Sequence, residues 1–81
     1  MTCEEFNEKY AAHIEPRFYG LEFDIPAITA YLDEEFSKKV ESDPNFQFAQ
    51  IKIKFGMARV YSNASHEENS KWEQGIDELL K

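Results

Sequence analysis

The chain has 81 residues, enough for one domain with a small core but not for a deep, enclosed active-site cavity. Sixteen acidic against nine basic side chains give a formal net charge of −7, which opposes whole-surface attraction to a polyanion. The single cysteine excludes an internal disulfide framework and a thiolate metal cage. Cys3 itself reads as a small apolar filler in the first turn of a helix. No apolar run follows Met1 and none is long enough to span a bilayer, so a cytoplasmic setting without membrane contact is expected. Asn63-Ala64-Ser65 fits the glycosylation sequon, which means nothing in that setting.

The expected fold is α+β, a single domain over residues 1–81 in the order α-α-β-β-α, with an antiparallel hairpin packed against helices. Thr2 and Glu5 have the spacing of a capping box, and Phe6, Tyr10 and Ile14 form one helical stripe that ends before Pro16. Residues 17–23 read as extended chain with a turn at Gly20 and a short edge strand through Leu21 and Phe23. A second helix starts at Asp24 as N-cap, with Pro26 in its first turn. Ile25, Ile28, Leu32, Phe36 and Val40 form its apolar stripe, and Ser42-Asp43-Pro44-Asn45 stops it. Two β-rich runs follow, 46–54 and 57–62. The last helix is capped by Ser65, with Glu68 as the return partner and Trp72, Ile76 and Leu79 on its apolar face. Phe6, Tyr10, Ile28, Leu32, Phe36, Ile51, Ile53, Val60, Trp72 and Ile76 are expected in one core. Gly75, inside the last helix, points to close packing against a neighbour, with another chain as one candidate.

Residues 44–63 hold three cations and no acid in an otherwise acidic protein. Strand alternation puts Ile51, Ile53 and Phe55 on one face of the first strand and Lys52 and Lys54 on the other; Arg59 and Tyr61 share the opposite side of the second strand. The string KFGMARVY resembles the RNP1 pattern of RNA-recognition motifs at Lys54, Gly56 and Tyr61, but its Phe and Gly are transposed and Met57 or Ala58 replaces the central aromatic. Phe46 and Phe48 fall in phase with the lysines unless a bulge near Ala49-Gln50 returns them to the core, and the bulge is the simpler reading. Lysines on the wet face of a sheet also discourage edge-to-edge association, so this patch reads first as that wet face.

Acids in the first helical turns, Glu4, Glu5, Glu67 and Glu68, complement the helix dipole. Asp33, Glu34 and Glu35 in the middle of the second helix, and Asp77 and Glu78 late in the third, lack that explanation and are expected to project into water. No phosphate loop, metal motif or paired acid–base carboxylates can be identified, and His13 and His66 are isolated, so no catalytic residue, metal or cofactor is expected.

The function expected from these features is that of a small acidic interaction protein, not an enzyme. It docks on a basic, nucleic-acid-handling partner protein, as an inhibitor or nucleic-acid mimic; size and charge suggest the analogy with phage or mobile-element proteins. Asp33, Glu34, Glu35, Asp77 and Glu78 would supply the charge, and Tyr31 and Tyr19 the anchors. One alternative is a nucleic-acid-binding module using Lys52, Lys54, Arg59 and Tyr61, which the net charge disfavours. The other is a homodimerisation module pairing through an edge strand or the last helix.

Overall fold

Thr2 opens the first helix as expected. Its hydroxyl accepts from the Glu5 N–H at 3.1 Å, and the Glu5 carboxylate accepts from the Thr2 N–H at 2.9 Å, closing the capping box. In the computed structural model, which describes all 81 residues, this helix (α1, Cys3–Lys9) is shorter than the stripe implies. The chain turns at Tyr10 into a single 3₁₀ turn, Ala11–His13. Ile14 then leaves the helical path to form a parallel bridge with Phe48, and the Glu15 N–H donates to the Phe48 carbonyl at 3.0 Å. Tertiary pairing with the sheet overrides the local periodicity.

The short edge strand forms as Gly20–Leu21 (β1), so Gly20 belongs to it and Phe23 lies beyond it; it pairs parallel with β2 (Phe48–Lys54), which makes the sheet mixed. β2 pairs antiparallel with β3 (Met57–Ser62), giving the order β1-β2-β3. The register shifts between Phe48 and Gln50, which is the expected bulge. Phe46 and Phe48 are both fully buried.

Helix α2 spans Pro26–Ser42 with Pro26 at its first position. Its N-cap is Ile25, without a side-chain bond, and not Asp24. The Asp24 carboxylate instead accepts from the Cys3 N–H at 2.5 Å, so it caps α1 from outside. Helix α3 spans His66–Leu80, and the Ser65 hydroxyl accepts from the Glu68 N–H at 3.1 Å. The Glu68 carboxylate does not return to the Ser65 N–H; it pairs with Lys39 at 3.0 Å.

The three helices contribute Phe6, Ile28, Leu32, Phe36, Trp72 and Ile76 to a core that Leu21, Phe48, Ile51, Ala58 and Val60 complete from the sheet. Phe36 is its hub, with the rings of Trp72, Phe48 and Phe46 centred 4.9, 5.0 and 5.1 Å away. Two expected apolar contacts differ. Ile53 is only half-buried, because β1 ends before reaching it, and Leu79 stands 42% exposed while Leu80 packs on the core.

A three-stranded sheet has two open edges, and helix side chains cap part of each. The Asn7 amide makes two bonds to Leu21, donating to its carbonyl and accepting from its N–H, both at 2.9 Å. Along β3, the Glu73 carboxylate accepts from the Val60 N–H at 2.9 Å and the Asp77 carboxylate from the Ala58 N–H at 2.8 Å. Asn69 continues the row, lying 2.6 Å from the Ser62 hydroxyl. The spacing 69, 73, 77 places these polar groups in one line along α3.

Gly75 lies on the neighbouring face of α3, and its close neighbour is Tyr31 of the same chain. A Cβ at Gly75 would stand 2.8 Å from Tyr31 Cε2 and nearer still to Cζ and the hydroxyl.

Two predictions follow from this packing. Replacing Glu73 and Asp77 together by Ala strips two N–H groups of charged acceptors; it should cost about 1–3 kcal/mol per bond and promote association through β3. Denaturant melts and sedimentation at rising concentration measure both effects. Gly75→Ala should destabilise the protein, because Tyr31 must move. In a Tyr31→Ala background the same change should stabilise it by about 1 kcal/mol, the ordinary helical preference for Ala. A double-mutant cycle with the same sign in both backgrounds would rule out the Tyr31 contact as the reason for glycine.

Candidate functional site

Of the five carboxylates expected to project into water, Glu34 and Glu78 do, and Asp33, Glu35 and Asp77 are engaged within the molecule. Asp33 accepts from Lys9 Nζ at 2.8 Å and from the Tyr10 hydroxyl at 2.7 Å. Burial pushes the Asp33 carboxyl up, but the bonds from Lys9 and Tyr10 outweigh it and hold the group below its ordinary range. The Glu35 side chain is only 15% exposed and pairs with Lys71 at 3.1 Å. Asp77 is tied to the edge of β3. Glu34 and Glu78 are open to solvent, and each faces a lysine of its own helix, Lys38 at 3.4 Å and Lys81 at 3.0 Å. The expected five-residue acidic face is thus reduced to Glu34 and Glu78 as open carboxylates. Asp33, Glu35 and Asp77 are held by residues far apart in sequence.

The aromatic anchors divide. Tyr31 is half-buried against Gly75, and burial raises its phenol pKa, with Glu35 adding to the rise and Lys71 opposing it. Tyr19 is 72% exposed, in a loop with the half-exposed Phe18. Between α2 and α3 lies a shallow groove of about 230 Å³ lined by Glu35, Lys38, Lys39, Glu68, Lys71 and Trp72. Each of its lysines has a carboxylate within 3.8 Å, so none of them is unpaired. His13 Nδ1 donates to the Phe46 carbonyl at 2.8 Å, which gives that histidine a structural bond.

The other face of the sheet carries no helix. The register places Gln50 beside Tyr61, Lys52 beside Arg59 and Lys54 beside Met57, three rows of side chains pointing away from the core. Lys9, Lys38, Lys39, Lys71 and Lys81 each have a carboxylate within 3.9 Å. Lys52, Lys54 and Arg59 have none, and besides them only Arg17 is free of one. The guanidinium of Arg59 donates to the Ala58 carbonyl at 3.0 Å. Lys52 Nζ lies 5.7 Å from the Tyr61 ring centroid and Lys54 Nζ 5.7 Å from that of Phe55. Cations and rings alternate on one surface.

Phe55 is the residue that sequence reasoning misplaced. Strand alternation assigns it to the core side with Ile51 and Ile53, yet it stands 92% exposed at the hairpin tip. Phe55 and Gly56 have φ of 54° and 74°, the two positive values that a type I′ turn requires. Gly takes that conformation freely, whereas a bulky side chain there is strained. Gly56 was the available signal for the turn. Because it sits in the turn, KFGMARVY is split between two strands, and the resemblance to RNP1 ends there.

No helix is long and apolar enough to cross a membrane, and no group of three His, Cys, Asp or Glu side chains is arranged to hold a metal. No family model matches the sequence, and no curated protein or solved structure shows significant similarity to it.

Phe55→Asn would install the Asn-Gly pair that a type I′ turn favours. It should stabilise the fold by about 1 kcal/mol, the order of the cost of holding a bulky residue at positive φ. A thermal melt checks this: a lower Tm for Phe55→Asn would mean that the ring contributes to folding and is not held outward at a cost.

Proposed function

We propose that this protein is a small, non-catalytic interaction domain that takes an anionic partner on the open face of its sheet. The observation that carries this reading is the distribution of unpaired charge. Every lysine on the helices has a carboxylate partner, and the three cations of the hairpin have none and share one face. Unpaired cations on a firm, hydrogen-bonded platform attract an anion without first breaking an internal ion pair. The side chains of this face are Lys, Arg, Tyr, Met and Gln with a Phe at the tip, a set suited to binding and not to proton transfer or nucleophilic attack. The competing reading, in which acidic helices dock on a basic partner protein, would have to break the pairs that hold Asp33, Glu35 and Asp77.

Inorganic polyphosphate serves as a plain anionic probe. Replacing Lys52 and Arg59 by Gln should lower affinity at low salt by at least about tenfold with little change in melting temperature, since exposed charges contribute little to stability. Neutralising Asp33, Glu34 and Glu35 should leave that affinity within about twofold. If the lysine–arginine variant binds as the wild type does, the open face is not the site.

A further inference from the structure

We infer that the occupant of this face is a short run of single-stranded nucleic acid, a step that rests on the anionic-partner reading above. Three features of the surface select that chemistry. The cations Lys52, Lys54 and Arg59 lie on two neighbouring strands within about 7 Å along the strand direction, a spacing that lets one flexible backbone reach all three. Two rings stand among them, Tyr61 at 45% and Phe55 at 92% exposure. Bases of every kind present a flat π-face, and stacking on exposed rings beside cations is how single strands are held without sequence readout. An acidic peptide would satisfy the cations but leave the Phe55 ring, held outward by a strained backbone, without a partner.

Duplex fits less well. It brings one charge per roughly 1.7 Å of axis and cannot bend locally away from the acidic body, whereas a single strand carries half that density and is flexible. Glu22 also guards one end of the face, bonded to the Gln50 side chain, so a long rigid polyanion would meet a carboxylate there. Contact is thus limited to a short tract. Three phosphate contacts on a single strand predict that log K falls with log salt at a slope of about −2.

The test uses the full chain and three probes at matched charge: a labelled oligothymidylate, a thymine–adenine duplex of half its length, and polyglutamate. Oligothymidylate should bind most tightly, with a salt slope near −2. Phe55→Gly should weaken it at least about fivefold with the fold intact. Phe55→Trp should retain binding and report it by a change in emission, against the buried Trp72 of the wild type. Lys52→Gln with Arg59→Gln should lower affinity for every probe. Should polyglutamate or duplex bind as tightly as the single strand, with Phe55→Gly unaffected, the nucleic-acid assignment falls while the anionic face stands. Should no probe bind at low salt, both fall together.

Discussion

The fold depends on closing a sheet that is too small to close itself. Three strands in an 81-residue chain leave two rows of backbone donors and acceptors, and unpaired donors and acceptors invite pairing with another chain. Helix side chains supply some of the missing partners, Asn7 on one side and Glu73 and Asp77 on the other. That requirement fixes much else. It sets the rotation of α3 about its axis, because the row 69–73–77 must face β3 while Trp72 and Ile76 face the core. With α3 so rotated, Gly75 comes up against α2, and the Tyr31 ring fills the space its missing side chain leaves. All three helices are thereby committed to one face and the edges of the sheet.

The same commitment sorts the charges. Acids drawn to backbone N–H groups and to helix lysines are held within the molecule, and three of the four cations that remain lie on the open face of the sheet. Net charge is then a poor guide to local attraction. The molecule measures 32 × 26 × 23 Å, and the Debye length is about 8 Å at physiological ionic strength. Carboxylates on the outer side of the helix layer are therefore screened from an anion approaching the opposite face of the sheet. The −7 total governs behaviour at long range and low salt, and the local potential of the open face governs contact.

What could be read from the sequence follows the range of the interactions concerned. The capping box at Thr2 and Glu5, the stripe through Ile28, Leu32 and Phe36, and the bulge before Ile51 are set by neighbours a few residues away, and all were legible. Asp24 looked like the cap of α2 because it precedes Pro26, yet its partner is Cys3, 21 residues back. Asp33 meets Lys9 across 24 residues and Asp77 meets Ala58 across 19, so their apparent freedom was an effect of seeing only local charge. Phe55 failed for another reason. Alternation assigns a face to every residue of a strand, and it says nothing about where a two-residue turn interrupts the strand.

The wet-face explanation of the basic patch accounts for Lys52 and Lys54 but not for Phe55 at the hairpin tip. β1 pairs only with Gln50 and Ile51, so β2 beyond Ile51 is an uncovered edge, and Lys52 and Lys54 are the kind of residue that protects one. Edge protection gives no reason for Phe55. A phenylalanine at the exposed end of an uncovered strand increases the risk of association that the lysines reduce, and it does so in a backbone conformation that Asn or Gly would hold with less strain. The turn needs positive φ at both positions; it does not need an aromatic ring. The ring thus opposes both local stability and solubility, two interests that the rest of this surface serves. A residue that departs from both, beside the cations that stand unpaired, is the feature on which the proposal of a binding face most depends.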